Sequence, residues 1–303
     1  LNYRTRRYVL TVRNTSLIDF TVVIPSRGIT RLPYLENCLE TFFSKAASPE
    51  KLEAIVLLDY DDVDYIPEVL KVCSNEKYNT QVIIKKRDIV EFNKKYQNHG
   101  AQCGTGRFVW ALNDECEMST PNWDKIILGA AQELEDKNDT SLMYIAVSDD
   151  THVHVEGGVM EWGCCFPILS LSAAEAINGV VPSEIGNWGA DTHLYNIFKN
   201  YFQELVLDLS AKVFVLHHSP HNRRREADET SNTGVLGSTV LRTQGHLSFA
   251  ELERYRYRIQ MVLDSGEDPF CIWKKDIQPE KKGFIKSLFS GKRKAIKPKK
   301  EKE

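Results

Sequence analysis

Long hydrophobic runs are missing from this 303-residue sequence: stretches such as Ala54 to Leu58 are strand-sized, far below the roughly 18–20 residues that cross a bilayer. The opening residues also lack the apolar core of a signal peptide. Cysteine is sparse and unsuited to staples, with seven residues, no CxxC pair, and Cys164 beside Cys165. These features argue against a secreted disulfide framework and a structural zinc site, integral membrane association is not expected, and the expected location is the cytoplasm. No GxGxxG follows the first strand and no GxxxxGK[ST] occurs, which argues against a Rossmann dinucleotide enzyme and a P-loop NTPase. Without a GxSxG elbow or HExxH, serine-hydrolase and zinc-protease chemistry fall away too, although His152, His154, His217, His218 and His221 are numerous enough to raise the zinc question.

What is present is globular: 42% hydrophobic and 27% charged residues, enough chain for one large α/β domain or two small ones. The net charge of −3 conceals an asymmetry, because residues 281–303 carry a net +8 and the first 280 a net −11. Two readings of the basic segment stand side by side: a solvated terminus, or a phosphate-seeking arm for nucleic acid or an anionic membrane surface.

Apolar patterning predicts strands at Phe20–Ile24, Ala54–Leu58, Thr80–Lys85 and Arg107–Leu112, with helices between them over Leu35–Ala47, Ile66–Cys73 and within 89–103. Tyr8–Val12 is a candidate edge strand. Further strands are expected at Leu142–Val147, Val159–Phe166, Leu205–Leu207 and Lys212–Leu216, and helices at Trp123–Leu134, Ser172–Ile177, Asp191–Tyr201 and Phe249–Leu263. Residues 219–248 read as a polar loop or lid. Strands alternating with helices at this pitch imply an α/β fold with a mostly parallel twisted sheet flanked by helices.

In such sheets ligands sit beyond the carboxyl ends of the strands. Three of those ends are polar here: Pro25-Ser26-Arg27, the cluster Asp59 to Asp62, and Asp114-Glu115. Carboxylates gathered at adjacent strand ends repel one another unless a cation lies among them, and Mg²⁺ or Mn²⁺ bridged to a diphosphate is a common reason to gather them.

Residues Thr21–Arg27 (TVVIPSR), Ile55–Asp62 (IVLLDYDD) and Gly106–Glu115 (GRFVWALNDE) together resemble the nucleotide-sugar half of a family-2-like GT-A glycosyltransferase, similar to bacteriophage-type members. The resemblance covers roughly residues 20–230. It implies that Asp114-Glu115 is the DXD motif, with Asn113 where a first aspartate often stands, binding Mn²⁺ or Mg²⁺ against the donor's diphosphate. It also implies that Pro25, Ser26, Arg27, Asp59 and Asp61 hold the nucleotide and that His217 is a further metal ligand. Glu184–Asp191 (EIGNWGAD) resembles the segment in which inverting members carry their base, making Asp191 the group that deprotonates the acceptor hydroxyl. Arg223 and Arg224, with Arg225, would neutralise the leaving diphosphate or form an exposed basic loop. Trp188 and Trp162 are acceptor-side candidates, with core packing the alternative for Trp188.

The implied organisation is a leader over residues 1–18, a glycosyltransferase domain over 19–270 (nucleotide-sugar half 19–120, acceptor half and lid 121–270), and a basic tail over 271–303. The expected activity is metal-dependent, inverting transfer of a hexosyl group from a nucleoside-diphosphate sugar, UDP-linked for preference. The leading acceptor is a hydroxymethylated pyrimidine in DNA, which for a viral protein places it in host cytoplasm. Competing acceptors are a surface glycan, a protein or a small molecule; competing classes are nucleotidyltransfer and a non-catalytic nucleotide-sugar or nucleic-acid binding module.

Overall fold

Strand β2 (Phe20–Pro25) is buried on both faces from Phe20 to Ile24, as a central strand covered by helices must be. The structure is a computed structural model and describes residues 6–9, 17–86, 92–149, 164–183, 190–218 and 249–265. Strand β3 (Leu52–Asp59) lies parallel to β2 on one side, and β4 (Thr80–Lys85) extends the sheet beyond it. Helices α1 (Leu32–Ser44) and α2 (Tyr65–Cys73) make the crossovers. Leu35, Cys38, Leu39 and Phe42 form the buried stripe of α1, whose first turn contains Pro33, where a missing N–H costs nothing. After a wide turn at Asn93–Gln97 and the short α3 (Asn98–Ala101), the chain returns to β5 (Phe108–Ala111) on the other side of β2. Gly106 permits that approach, since a Cβ there would stand 2.5 Å from the Thr21 backbone nitrogen.

The full order is β1 (Arg6–Val9), β4, β3, β2, β5, β9 (Ile168–Ser170), β7 (Tyr144–Ala146) and β10 (Val206–Asp208). Edge strand β1 runs antiparallel to β4, close to the position expected of Tyr8–Val12. Strand β9 is antiparallel to both β5 and β7, and β10 is parallel to β7. The sheet is thus mostly parallel with two reversals. A second, three-stranded sheet, ordered β6-β11-β8, joins β6 (Cys116–Met118), β11 (Phe214–His217) and β8 (Ser148–Asp149).

Beneath β2 and β5, Phe20, Phe42, Phe108, Trp110 and Trp123 form one aromatic cluster with centroids about 5 Å apart, such as 4.9 Å for Phe20–Trp123 and 5.3 Å for Trp110–Trp123. Each indole finds an acceptor: Trp110 Nε1 donates to the Phe166 carbonyl at 2.9 Å and Trp123 Nε1 to the Phe42 carbonyl at 3.2 Å. Helix α4 (Trp123–Asn138) opens on the Trp123 of this cluster. Helices α5 (Leu171–Ile177), α6 (Ala190–Tyr201) and α7 (Phe249–Ser265) complete the described elements.

One expected strand needs correction. Residues 159–163 of Val159–Phe166 lie outside the described residues, and Cys164–Phe166 is a bend leading into β9. The Phe166 carbonyl is taken by the Trp110 indole, and Pro167 has no N–H for a ladder. The small second sheet was not foreseen at all.

Candidate active site at the switch point of the sheet

Strand order reverses direction at β2, with β3 and β4 on one side and β5 on the other, so the crevice between the carboxyl ends of β2 and β5 is the topological switch point. Side chains from both strand ends meet there. Ser26, just after β2, donates its hydroxyl hydrogen to Asp114 Oδ2, just after β5. The Ser26 oxygen also lies 2.6 Å from the Tyr65 hydroxyl, and Asp114 is only 1% exposed.

Arg31, in the 3-10 turn that opens α1, spans the acidic pair. Its Nε lies 2.8 Å from Asp114 Oδ2, its Nη2 contacts Asp114 Oδ1, and its Nη1 is 2.6 Å from Glu115 Oε1. Burial alone would weaken the guanidinium's charge, but the two carboxylates more than offset that and raise its pKa above the ordinary value. A planar fork suits this double engagement where an ammonium would not.

The second oxygen of Glu115 faces His217 Nε2 at 3.4 Å. The small sheet makes this meeting possible, because β11 is antiparallel to β6 with His217 opposite Cys116, while the backbone N–H of His218 bonds the Glu115 carbonyl at 2.9 Å. Phe166 packs edge-on against the imidazole at 5.0 Å. Burial works against Glu115's charge, yet His217 and Arg31 prevail and hold its carboxyl below the usual carboxylate range. At the rim, His218 Nε2 lies 2.7 Å from Glu117 Oε2, which also accepts from Asn37 Nδ2 at 3.1 Å.

On the β3 side, Arg27 reaches Asp59 at 3.6 Å and Asp61 at 3.9 Å. The Gly28 N–H donates to Asp62 Oδ2 at 2.6 Å, and Gly28 has φ +85°, a conformation that glycine adopts without a Cβ penalty. The strand-end loops of β2 and β3 are therefore knitted together.

Asp191 lies in the first turn of α6, half-buried, near enough to the Tyr144 hydroxyl and the Cys164 thiol to push both pKa values up after burial has done most of the work. Burial above all pushes the Cys164 thiol up to about 12, which favours its neutral form. Asp149, at the end of β8, bears on the same thiol and accepts from the Cys165 N–H at 3.3 Å.

The structure thus gathers Ser26, Arg27, Asp59, Asp61, Asp114, Glu115 and His217 about one crevice, with Pro25 half-buried at the last position of β2. Trp162, Trp188, Arg223 and Arg224 lie outside the described residues. A divalent ion fits Glu115 and His217 on chemistry: their 3.4 Å separation approaches the roughly 3 Å between neighbouring ligands of an octahedral ion, and carboxylate oxygen with imidazole nitrogen suits Mn²⁺ better than Mg²⁺. Asp114 fits less well, since both its oxygens are engaged by Arg31 and Ser26. Among the described residues no group of three or more His, Cys, Asp or Glu side chains converges as a metal site.

Sequence reasoning missed Arg31, Tyr65 and Asp149. Arg31 sits four residues past Arg27, on the segment that follows the β2 end and lies beside the acidic end of β5, a position at which a cation is electrostatically expected. Asp149 follows the expected strand Leu142–Val147, so the strand-end rule that found Asp114 also applied to it.

No protein-family profile matches the sequence, and no curated protein matches it significantly. Among solved structures the chain is similar to S. aureus TarS 1–349, at 15% identity over 80% of this chain and 71% of that one, TM-score 0.48. TarS 1–349 in complex with UDP-GlcNAc gives 13% over 80% and 72%, TM-score 0.49. The mannosyltransferase PcManGT from Pyrobaculum calidifontis, in complex with GDP-Man and Mn²⁺, gives 13% over 86% and 80%, TM-score 0.49. Among the described residues, no helix is long and apolar enough to cross a membrane.

Proposed function

We propose that the protein is an inverting, metal-dependent glycosyltransferase that moves a hexosyl group from a nucleoside-diphosphate sugar to a hydroxyl acceptor. The observation that carries this reading is the switch-point crevice, where Ser26 and Asp114 are bonded across β2 and β5, the Arg27–Asp59–Asp61 cluster lies on one side, and Glu115 with His217 on the other. The resemblance of TVVIPSR, IVLLDYDD and GRFVWALNDE to GT-A sequences agrees with it.

In this reading Pro25, Ser26, Arg27, Asp59 and Asp61 form the nucleotide side. Mn²⁺ or Mg²⁺ held by Glu115 and His217 would offset charge on the donor's diphosphate. Asp191 takes the proton from the acceptor hydroxyl as its oxygen bonds to the anomeric carbon and the bond to the diphosphate breaks; attack from the opposite face inverts configuration. Arg223 and Arg224 would meet the departing nucleoside diphosphate, and Trp188 and Trp162 the acceptor.

Incubation with a panel of UDP- and GDP-sugars, with and without EDTA, tests the class. Metal-dependent nucleoside-diphosphate release is the expected result; pyrophosphate release would instead indicate nucleotidyltransfer, and no turnover of any donor would indicate a binding module.

For the acceptor, the net +8 over residues 281–303 beside a body of −11 favours DNA carrying a hydroxymethylated pyrimidine, in keeping with the resemblance to bacteriophage-type members. Mass spectrometry of nucleosides from modified DNA incubated with donor sugars is the direct test. Should the segment neutralise about four phosphates, deleting it would flatten a log K against log salt slope by about 3.6. Unchanged DNA affinity at low salt after the deletion would remove the argument.

A further inference from the structure

Metal-free, a pair of adjacent carboxylates at a strand end is a repulsive arrangement, and this protein resolves it internally. All three nitrogens of Arg31 are committed to the pair: Nε and Nη2 to the buried Asp114, Nη1 to Glu115 at 2.6 Å. The two halves of the grip differ. The Asp114 half is a two-point fork to a side chain 1% exposed, whereas the Glu115 half is a single contact to a side chain 13% exposed. Glu115's remaining oxygen is the one beside His217.

We infer that Arg31 is a built-in counter-cation that competes with a divalent ion for Glu115, anchored on Asp114 so that the Arg31–Glu115 contact must open for the carboxylate to serve a metal fully. The inference rests on reading Glu115 and His217 as a metal site. It assigns Asp114 a positioning role, that of tethering Arg31 and taking the Ser26 hydrogen bond, and makes Arg31 the residue that sets how tightly the site holds metal. A nearby positive charge lowers a carboxylate's affinity for any cation, proton or metal alike, on the order of tenfold or more.

Mn²⁺ titrated into the full chain and followed by electron paramagnetic resonance reads free against bound ion without any turnover. Arg31→Gln should tighten Mn²⁺ binding by about tenfold or more relative to wild type. Glu115→Gln should weaken it sharply. In thermal melts without metal, Arg31→Gln should unfold earlier than wild type and recover more of its loss when Mn²⁺ is added. If Arg31→Gln binds Mn²⁺ equally or more weakly while Glu115→Gln still weakens binding, the competition is overturned and the metal site stands. If Glu115→Gln binds like wild type, or no variant binds Mn²⁺ at millimolar concentrations, the metal reading falls and the competition with it. Should Arg31→Gln fail to fold, Arg31→Met replaces it: it keeps much of the side chain's length and removes the charge, so tighter Mn²⁺ binding than wild type is again expected, and equal or weaker binding overturns the inference.

Discussion

Strands β2, β3 and β4 are six to eight residues long and buried nearly throughout, whereas β6 to β10 are two or three residues each and divided between two sheets. The first region holds its strand ends by long parallel ladders over an aromatic core. The second holds its geometry by short ladders and individual side-chain bonds. In the proposed reading the donor-side groups stand at the ends of the long ladders, and Asp191, the proposed base, stands in the first turn of α6. On that proposal, one wall of the crevice would fix the shared chemistry of the donor and the other would be free to differ with the acceptor.

The sharpest way to separate the two walls is Asp191→Asn. It keeps shape and hydrogen bonding and removes basicity, so transfer should fall about 10²–10⁴-fold while donor affinity is retained. NMR of the product linkage and equilibrium donor binding check both halves; a retained anomeric configuration would take the role away from Asp191.

Truncating the aromatic core beneath β2 and β5 should cost nearly as much free energy, but in stability. Trp110→Ala removes a fully buried indole from the aromatic cluster and leaves the Phe166 carbonyl without its donor, a loss of about 3–5 kcal/mol in urea unfolding. A loss under about 1 kcal/mol would show that the cluster does not hold β2 and β5 together.

This contrast also decides what the sequence alone could reveal. Continuous β-branched runs such as Phe20–Ile24 and Thr80–Lys85 can be buried only as central strands, so the parallel part of the sheet and its polar ends were legible; Glu115 and His217, both expected near those ends, meet at 3.4 Å. The helix over Ala190–Tyr201 was legible from its apolar spacing. Strands of two or three residues leave little period to detect, and β6 and β8 went unforeseen, whereas β7, β10 and β11 fall on the expected Leu142–Val147, Leu205–Leu207 and Lys212–Leu216. The antiparallel β9 was misplaced because Pro167 and the Trp110 indole, not local propensity, decide where pairing begins. Arg31 was invisible to a search for acidic motifs, since its importance arises only when β2 and β5 become neighbours. The resemblance supplied Asp114 with a metal-ligand role that its two engaged oxygens do not favour.

Asn98 is a bolt between the two regions. Its Oδ1 accepts from the N–H groups of Val180 and Val181 at 3.0 and 3.2 Å, and its Nδ2 donates to the Val181 carbonyl at 2.9 Å. Asn98→Ala leaves three main-chain groups unpaired by protein, at a cost of about 1–3 kcal/mol. Hydrogen exchange should show faster amides at Val180 and Val181 with β2 and β3 unchanged. Uniform acceleration across the sheet would mean the regions unfold as one unit and Asn98 does not mark a seam.

The smallest expected effect lies at the junction itself. Glu115 follows β5 yet touches His217 of β11, and its carboxyl is held below the usual carboxylate range because His217 and Arg31 outweigh burial. A depressed carboxyl contributes stability that is whole above the unfolded value of about 4.3 and is lost as pH falls through the folded value. Stability of wild type should therefore drop on acidification below about pH 4.3, and Glu115→Gln should flatten part of that slope. Glu117 is depressed as well, chiefly by hydrogen bonds from His218 and Asn37, but it is more exposed, so solvent screens its pairing and Glu117→Gln should flatten the slope less. Urea unfolding of the three proteins across the acid range makes the comparison. Equal slopes in wild type and Glu115→Gln would mean that the carboxylate gains nothing from its two neighbours. A larger effect from Glu117 would place the stronger ionic link between the regions at the rim and not in the crevice.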